Sequence, residues 1–494
     1  MSKAHDAAAL SRCLADAGYT REGVSAFLGP IAWDALARVS PAPAKAICER
    51  EQAHPLSALV RAFWLGQPVE ADALAAALTH AGATAAESLG LVATDGERAT
   101  PLVTLRSVSV STGAREHEFL VASDRDELCG VSPLPNHHVL GVGGSTRTLI
   151  SLLPDSASRA LDLGCGCGIV ALQLSQLADE VIATDISERA LWFTGLSAAL
   201  NGIESIETRL GSLFDPVADE RFDLIASNPP FVITPRSEEA AAYEYRDAGR
   251  TGDALMLEVV EGLSRHLTPG GQARMLGNWE GDVARMQSAA VGLSGFVIER
   301  ERLDPARYAE LWIRDGGTPV TSSEGESMLW AWLADFASRG TASIGLGWVV
   351  LQEGNGPIET EALAHAVDPR WLSEHFTAAL AAQAALTRIN DDSLAELHLV
   401  VSSDVVESRH ARPGAAGPNV IELRQGGALQ RTLTADTALS AFVGVCDGEL
   451  AVGQIIHALA ALLEVDAEAL LAQLLPQIRS AIVSGFLHVE EPTA

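Results

Sequence analysis

The sequence predicts an α/β fold whose central part is a mostly parallel sheet covered on both faces by helices. Three observations predict it. From residue 159 to about 315, short apolar runs alternate with helix-length stretches, the order that a parallel sheet with crossover helices requires. The first of these runs ends in glycines at alternate positions, Gly164, Gly166 and Gly168. A later run ends in the corner Asn228-Pro229-Pro230-Phe231.

Four segments follow along the chain. Residues 1–103 read as short helices rich in alanine and leucine, for example 7–14 and 55–64, ending in two apolar runs around the turn Asp95-Gly96. Helices followed by such a hairpin fit a winged-helix-like module or a helical cap with one β-ribbon. Residues 104–145 form a β-rich connector, with strands at 104–111 and 118–122 around Thr112-Gly113. Residues 146–317 hold the strand and helix alternation, with strands at 159–163, 180–184, 205–210, 222–227, 272–276, 296–302 and 308–313. The last two lie too close for a crossover helix, so they are expected to pair antiparallel at the sheet edge. Residues 318–494, after Gly316-Gly317-Thr318-Pro319, read as a mixed α/β domain with strands at 344–351 and 397–402, an exposed loop at 413–418, and a helical, winged-helix-like or capping tail at 453–486.

Composition narrows the function. With 494 residues, 48% hydrophobic and a mean hydropathy of +0.17, the chain can fill several cores, and no apolar run approaches the ~20 residues of a membrane span. Six scattered cysteines suit a reducing cytoplasm. The net charge of -30 is spread along the chain, which disfavours a phosphate-rich partner.

The chemistry sits at the strand ends. Lacking Cβ atoms, Gly164, Gly166 and Gly168 let the backbone turn sharply and approach a ligand, with a helix opening behind them. Asp162 precedes the loop, placed to hold it or to reach a ligand amino group. Asp185, about 20 residues on at the end of the second strand, suits ribose hydroxyls. The run Gly211-Ser212-Leu213-Phe214 would form the adenine side, with Leu213 or Phe214 offering an apolar face. At the corner, the Asn228 side-chain oxygen and the Pro229 carbonyl can accept the N–H bonds of a planar amine and steer its lone pair toward a methyl donor, while Phe231 stacks on the substrate. Cys165 and Cys167 lack a second Cys/His pair, so no metal is expected.

These motifs resemble class I S-adenosylmethionine-dependent methyltransferases of the small-domain type over a little over a third of the chain. Within them the block is most similar to HemK-like protein glutamine methyltransferases, with enzymes that modify exocyclic amines of RNA bases as near relatives. The resemblance implies a Rossmann-like, seven-stranded methyltransferase sheet and S-adenosyl-L-methionine as cofactor over the carboxyl ends of the first strands. It carries cofactor or clamp roles to Gly164, Gly166, Asp185 and Asn228, and aligns Ser145-Thr146-Arg147 with the segment that touches the cofactor's methionine end. Ser212 departs from the family's usual acidic residue. Phe231 matches the RNA-base relatives, whereas Tyr245 to Leu255 resembles the HemK-like segment after the clamp. The expected enzyme is therefore a cytoplasmic N-methyltransferase whose preferred acceptor is a glutamine side chain in a protein. The alternatives are an exocyclic amine of an RNA or DNA base and a non-catalytic, cofactor-sensing DNA-binding regulator.

Overall fold

The structure, a computed structural model, describes residues 3–131, 134–135, 137–230, 232–235, 250–415 and 417–490. Five helices, Lys3–Asp16, Arg21–Ala37, Ala42–Arg50, Pro55–Phe63 and Ala71–Ser88, begin the chain. Beside them lies a small antiparallel sheet of β1 (Val69–Glu70), β2 (Val92–Thr94) and β3 (Arg98–Pro101), with β3 in the middle. The β2–β3 turn forms because Gly96 takes φ +100° and the Asp95 carboxylate accepts the Glu97 and Arg98 N–H groups at 3.0 and 2.8 Å. The connector is a two-stranded ribbon, β4 (Thr104–Thr112) and β5 (Arg115–Ser123). Asn201 docks it by pairing both sides of its amide with the Leu120 backbone, at 3.0 and 2.8 Å.

The central sheet takes its parallel part from β6 (Ala157–Leu163), β7 (Ala178–Asp185), β8 (Ile206–Leu210), β9 (Phe222–Ser227) and β10 (Leu267–Glu280). It is completed by β11 (Leu293–Leu303), β12 (Ile344–Glu353) and β13 (Ile358–Ala362), giving the order β13-β11-β12-β10-β9-β6-β7-β8. Alternation of side chains fills both faces: Ala160, Leu224 and Ala226 enter one core, Leu161, Leu163 and Ile225 the other. The second core is closed by the helix Ala254–His266 through Met256, Val259 and Leu263. The first is covered by the helix Glu188–Leu200 and, further along the sheet, by Leu372–Leu386, whose Phe376 packs on Phe296 and Trp348.

Two expectations need correction. Residues 308–313 are not a strand but part of the helix Pro305–Asp315. Asp304 caps it by accepting the Ala306 and Arg307 N–H groups, Pro305 occupies the first turn, and Tyr308, Ala309 and Ile313 share its buried face. A second helix, Ser323–Arg339, packs back on it. The antiparallel partner of β11 is instead β12, which lies between β10 and β11 and pairs with both. The central sheet therefore does not end at residue 317 but draws two strands, β12 and β13, from beyond it; the expected seven strands gain an eighth at the edge.

The rest of the chain carries β14 (His398–Val401), β15 (Val405–His410), β16 (Val420–Gln425), β17 (Thr432–Ala435), β18 (Asp447–Ala451) and β19 (Leu487–Val489). They form two small sheets, β18-β14-β19 and β15-β16-β17, packed with the helices Val452–Leu463 and Ala467–Val483. Among the described residues, no helix is long and apolar enough to cross a membrane.

Because β12 fills the gap between two strands, a chain cut after residue 317 exposes the ladders of β10 and β11 together. Such a fragment is expected to lose the cooperative thermal transition of the full chain, read by circular dichroism. A cooperative melt near the full-length midpoint would show that the sheet closes without β12.

Candidate functional site

Parallel pairing decides which loops meet. β6 lies between β7 and β9, with Leu161 opposite both Ile182 and Ile225. The loops after β6, β7 and β9 therefore leave the sheet at one pole, side by side. The Ser227 hydroxyl donates to the Leu163 carbonyl at 2.7 Å, joining the last residue before the asparagine corner to the last before the glycine turn.

The turn itself is built on positive φ angles, +83°, +53° and +85° at Gly164, Gly166 and Gly168. A Cβ at Gly164 or Gly166 would enter open space, so the backbone there forms a cradle, whereas one at Gly168 would meet Thr194 Cα at 2.8 Å. Gly168 thus serves the packing of the turn onto the helix Glu188–Leu200. Cys165 and Cys167 are buried; the Cys165 sulfur accepts from the Thr194 hydroxyl at 3.2 Å, and burial pushes the Cys167 thiol up to about 11. Both are packing thiols.

Asp185 ends β7 at the rim of the cradle. Its carboxylate accepts the Gly166 N–H at 3.0 Å and the Ser187 N–H at 2.9 Å, while Ser187 caps the following helix. One carboxylate therefore sets both the glycine turn and the helix entry. The Gly211 N–H, after β8, donates to the Asp185 carbonyl at 3.0 Å, bringing Ser212 and Leu213 to the same rim. Leu213 is half-buried at φ +46°. Phe214 turns inward, stacking on His266 at 4.3 Å between ring centres. Of the two apolar candidates for the adenine side, Leu213 is the one left at the rim.

Asp162 is 1% exposed beneath the turn, and its Oδ2 has no hydrogen-bond partner among the described residues. Burial pushes this carboxyl up to about 7; the Ala171 N–H opposes the shift and the Asp185 charge adds to it.

Asn228 opens the corner. Its Nδ2 donates to the Thr146 hydroxyl at 3.3 Å and approaches the Ser145 hydroxyl at 3.5 Å, at the first turn of the helix Gly144–Leu152. This orientation of the amide leaves Oδ1 buried and without a partner among the described residues. A buried acceptor left unpaired costs about 1–3 kcal/mol, a cost that a hydrogen-bond donor arriving at the corner would remove. Pro229 is buried beside it, Phe231 lies outside the described residues, and the stretch from Tyr245 to Leu255 is described only from Arg250 onward. Sequence reasoning did not foresee the contact between Thr146 and Asn228, which are 82 residues apart.

Residues 141–297 match the methyltransferase small domain. The match covers the parallel strands and the loops at their carboxyl ends, and this part of the chain is similar to methyltransferases. Residues 16–102 match a family described as a domain of unknown function, DUF7059. Among curated proteins, the ribosomal RNA small subunit methyltransferase C of Salmonella newport is 31% identical over 137 residues, covering 27% of this chain and 35% of that relative. The protein of the same name from Citrobacter koseri gives the same identity and coverage. The chain thus spans about a third of the length of these relatives. Among solved structures, a ribosomal protein L11 methylase from Lactobacillus delbrueckii subsp. bulgaricus is 20% identical, covering 42% of this chain and 80% of that one, with a TM-score of 0.25.

The cradle and the unpaired oxygen both fit the cofactor this domain type uses. Gly164 and Gly166 leave room for a ligand against bare backbone, and the buried Oδ2 of Asp162 offers an acceptor to an amino group.

The Asp162 carboxyl makes a pH prediction. Its folded value, raised to about 7, exceeds the ordinary 3.8 of an unfolded chain, so its contribution is fully present below pH 3.8 and is lost as pH rises to about 7. Asp162→Asn is expected to remove that slope. The difference in urea midpoint between wild type and variant should shift in favour of the variant from pH 5 to pH 8; a constant difference would mean the carboxyl does not titrate in that window.

Proposed function

We propose that this protein is an S-adenosylmethionine-dependent N-methyltransferase that acts on a planar nitrogen, and that its acceptor is an exocyclic amine of an RNA base. The observation that carries the reading is the buried Oδ1 of Asn228, which has no partner among the described residues and follows the end of β9, beside the glycine turn after β6 and at the same pole. When bound, S-adenosylmethionine supplies a methyl group on a positively charged sulfur, already activated for transfer.

The residues of the chain do the rest. Asp185, at the rim of the cradle beside Gly166, accepts the ribose hydroxyls. Gly164 and Gly166 admit the ligand to the backbone, and Leu213 faces the adenine ring. Asn228 Oδ1 and the Pro229 carbonyl accept the two N–H bonds of the acceptor amine. An amine conjugated to a ring is a weak nucleophile because its lone pair is delocalised; fixing its N–H bonds in one plane directs that lone pair out of the ring plane. The proton leaves after transfer, so no strong general base is needed.

The RNA acceptor is supported by the curated relatives, both named as ribosomal RNA methyltransferases, and by Phe231 in the corner. A protein glutamine is the second reading, favoured by the net charge of -30 and by the sequence of the run from Tyr245 to Leu255. Incubation with labelled cofactor and a cell extract, followed by ribonuclease or protease, separates them. Release by ribonuclease is expected; release by protease would move the acceptor to protein, and cofactor binding without transfer would point to a cofactor-sensing regulator.

Two substitutions test the site. Asn228→Ala is expected to abolish transfer with cofactor affinity nearly unchanged in equilibrium binding, and affinity lost along with transfer would contradict the clamp. Asp185→Ala is expected to raise the cofactor Kd by about tenfold or more, for loss of a charge-assisted bond of ~1.5–3 kcal/mol. An unchanged Kd would remove Asp185 from the pocket.

A further inference from the structure

We propose that Tyr308 is a positioning residue for the asparagine corner, and that the helical hairpin carrying it, Pro305–Asp315 with Ser323–Arg339, is the device that holds the acceptor clamp in place. The inference rests on the methyltransferase reading above. It begins with an asymmetry in how the corner is held. On its upstream side, β9 is fixed by ladder pairing to β6 and β10. Downstream, Val232 and Ile233 have left the sheet.

Among the described residues, one oxygen takes over that task. The Ile233 backbone N–H donates to the Tyr308 hydroxyl at 3.1 Å, and Asn278 Nδ2 on β10 donates to the same oxygen at 2.7 Å. The corner's exit, the neighbouring strand and the hairpin thus meet at one atom. Tyr308 is fully buried, and its ring is held by Trp312, Trp332 and Phe336, with centroids 6.1, 6.0 and 5.9 Å away. Val232 and Ile233 sink into the same apolar cluster, with Leu303, Ile313 and Ile344. A small hollow lined by Pro230, Val232, Asp253, Met256 and Asn278 lies directly beside this junction. The hairpin therefore borders the acceptor side of the corner and fixes the chain within five residues of Asn228.

The chemical consequence follows from the geometry of the clamp. Its two acceptors lie on consecutive residues, so a tilt of the chain after Pro230 moves the Pro229 carbonyl relative to the Asn228 amide. A misplacement on the order of 1 Å at a reacting group costs roughly a hundredfold in rate. Tyr308 acts on transfer through the corner and has no part in holding the cofactor.

Tyr308→Phe tests this, because it removes the oxygen and keeps the ring. Steady-state transfer, cofactor binding and hydrogen–deuterium exchange of the peptide spanning 228–235 are measured on the full chain. The expected result is a kcat lower by roughly ten- to hundredfold, a cofactor Kd within about twofold of wild type, and faster exchange confined to that peptide. Asn278→Ser, which removes the second donor, is expected to shift the same readouts in the same direction and serves as the independent variant if Tyr308→Phe does not fold. Wild-type kcat in the folded variants overturns the proposal, whether or not exchange rises. Equal losses of kcat and cofactor affinity also overturn it, since they mark general damage. Absence of transfer by the wild-type chain removes the methyltransferase reading itself and is thereby told apart from failure of the tether alone.

Discussion

The parallel pairing of β6 with β7 on one side and β9 on the other is the constraint on which the rest depends. Parallel strands end at the same pole, so Gly164, Asp185 and Asn228, which are scattered along the chain, arrive together with no loop needing to reach far. The Ser227 hydroxyl on the Leu163 carbonyl shows how tightly the two central ends are joined. A shift of one residue in the β6–β9 register would exchange the faces of every side chain on β9 and carry the asparagine corner out of line with the glycine turn.

Two polar atoms at this pole stand apart from the ordinary economy of a folded core. Asn228 Oδ1 and Asp162 Oδ2 are buried with no donor among the described residues, although most buried polar groups in proteins are paired. Both lie at the carboxyl ends of β6 and β9, where the proposed cofactor and acceptor would meet the sheet. The hydroxyls of Ser145 and Thr146 take the donor side of the Asn228 amide, so the acceptor side is turned to the interior. In the proposed function, the helix after the connector thereby orients the Asn228 amide.

Much of this was legible in the sequence for local reasons. Central parallel strands are buried on both faces and read as continuous apolar runs; residues 222–227 coincide with β9. The glycine turn and the Asn-Pro-Pro corner are written in residues whose backbone behaviour is fixed by their covalent structure. What escaped reading depends on distant partners. The Asp304-Pro305 pair signals a helix start, whereas residues 308–313 alone read as a strand; the position next to β11 belongs to β12, which comes from beyond the hairpin. The assignment of residues 344–353 to the central sheet follows from pairing across a helical insertion, which no local pattern encodes. Likewise, Phe214 turns from the rim because His266 and Gly262 offer it a flat, close-fitting seat.

The pole is asymmetric: strand ends and a glycine turn build one side, while the chain leaving the Asn228 corner packs against the helical hairpin that lies between β11 and β12. In the proposed reaction, donor and acceptor meet between the cradle and Asn228. A crystal structure with S-adenosylhomocysteine bound tests it most directly. The sulfur is expected at the carboxyl pole, facing the Asn228 side-chain oxygen across a gap that admits one planar amine, with the ribose on Asp185. A ligand seated at the other pole, or a sulfur turned away from Asn228, would contradict it.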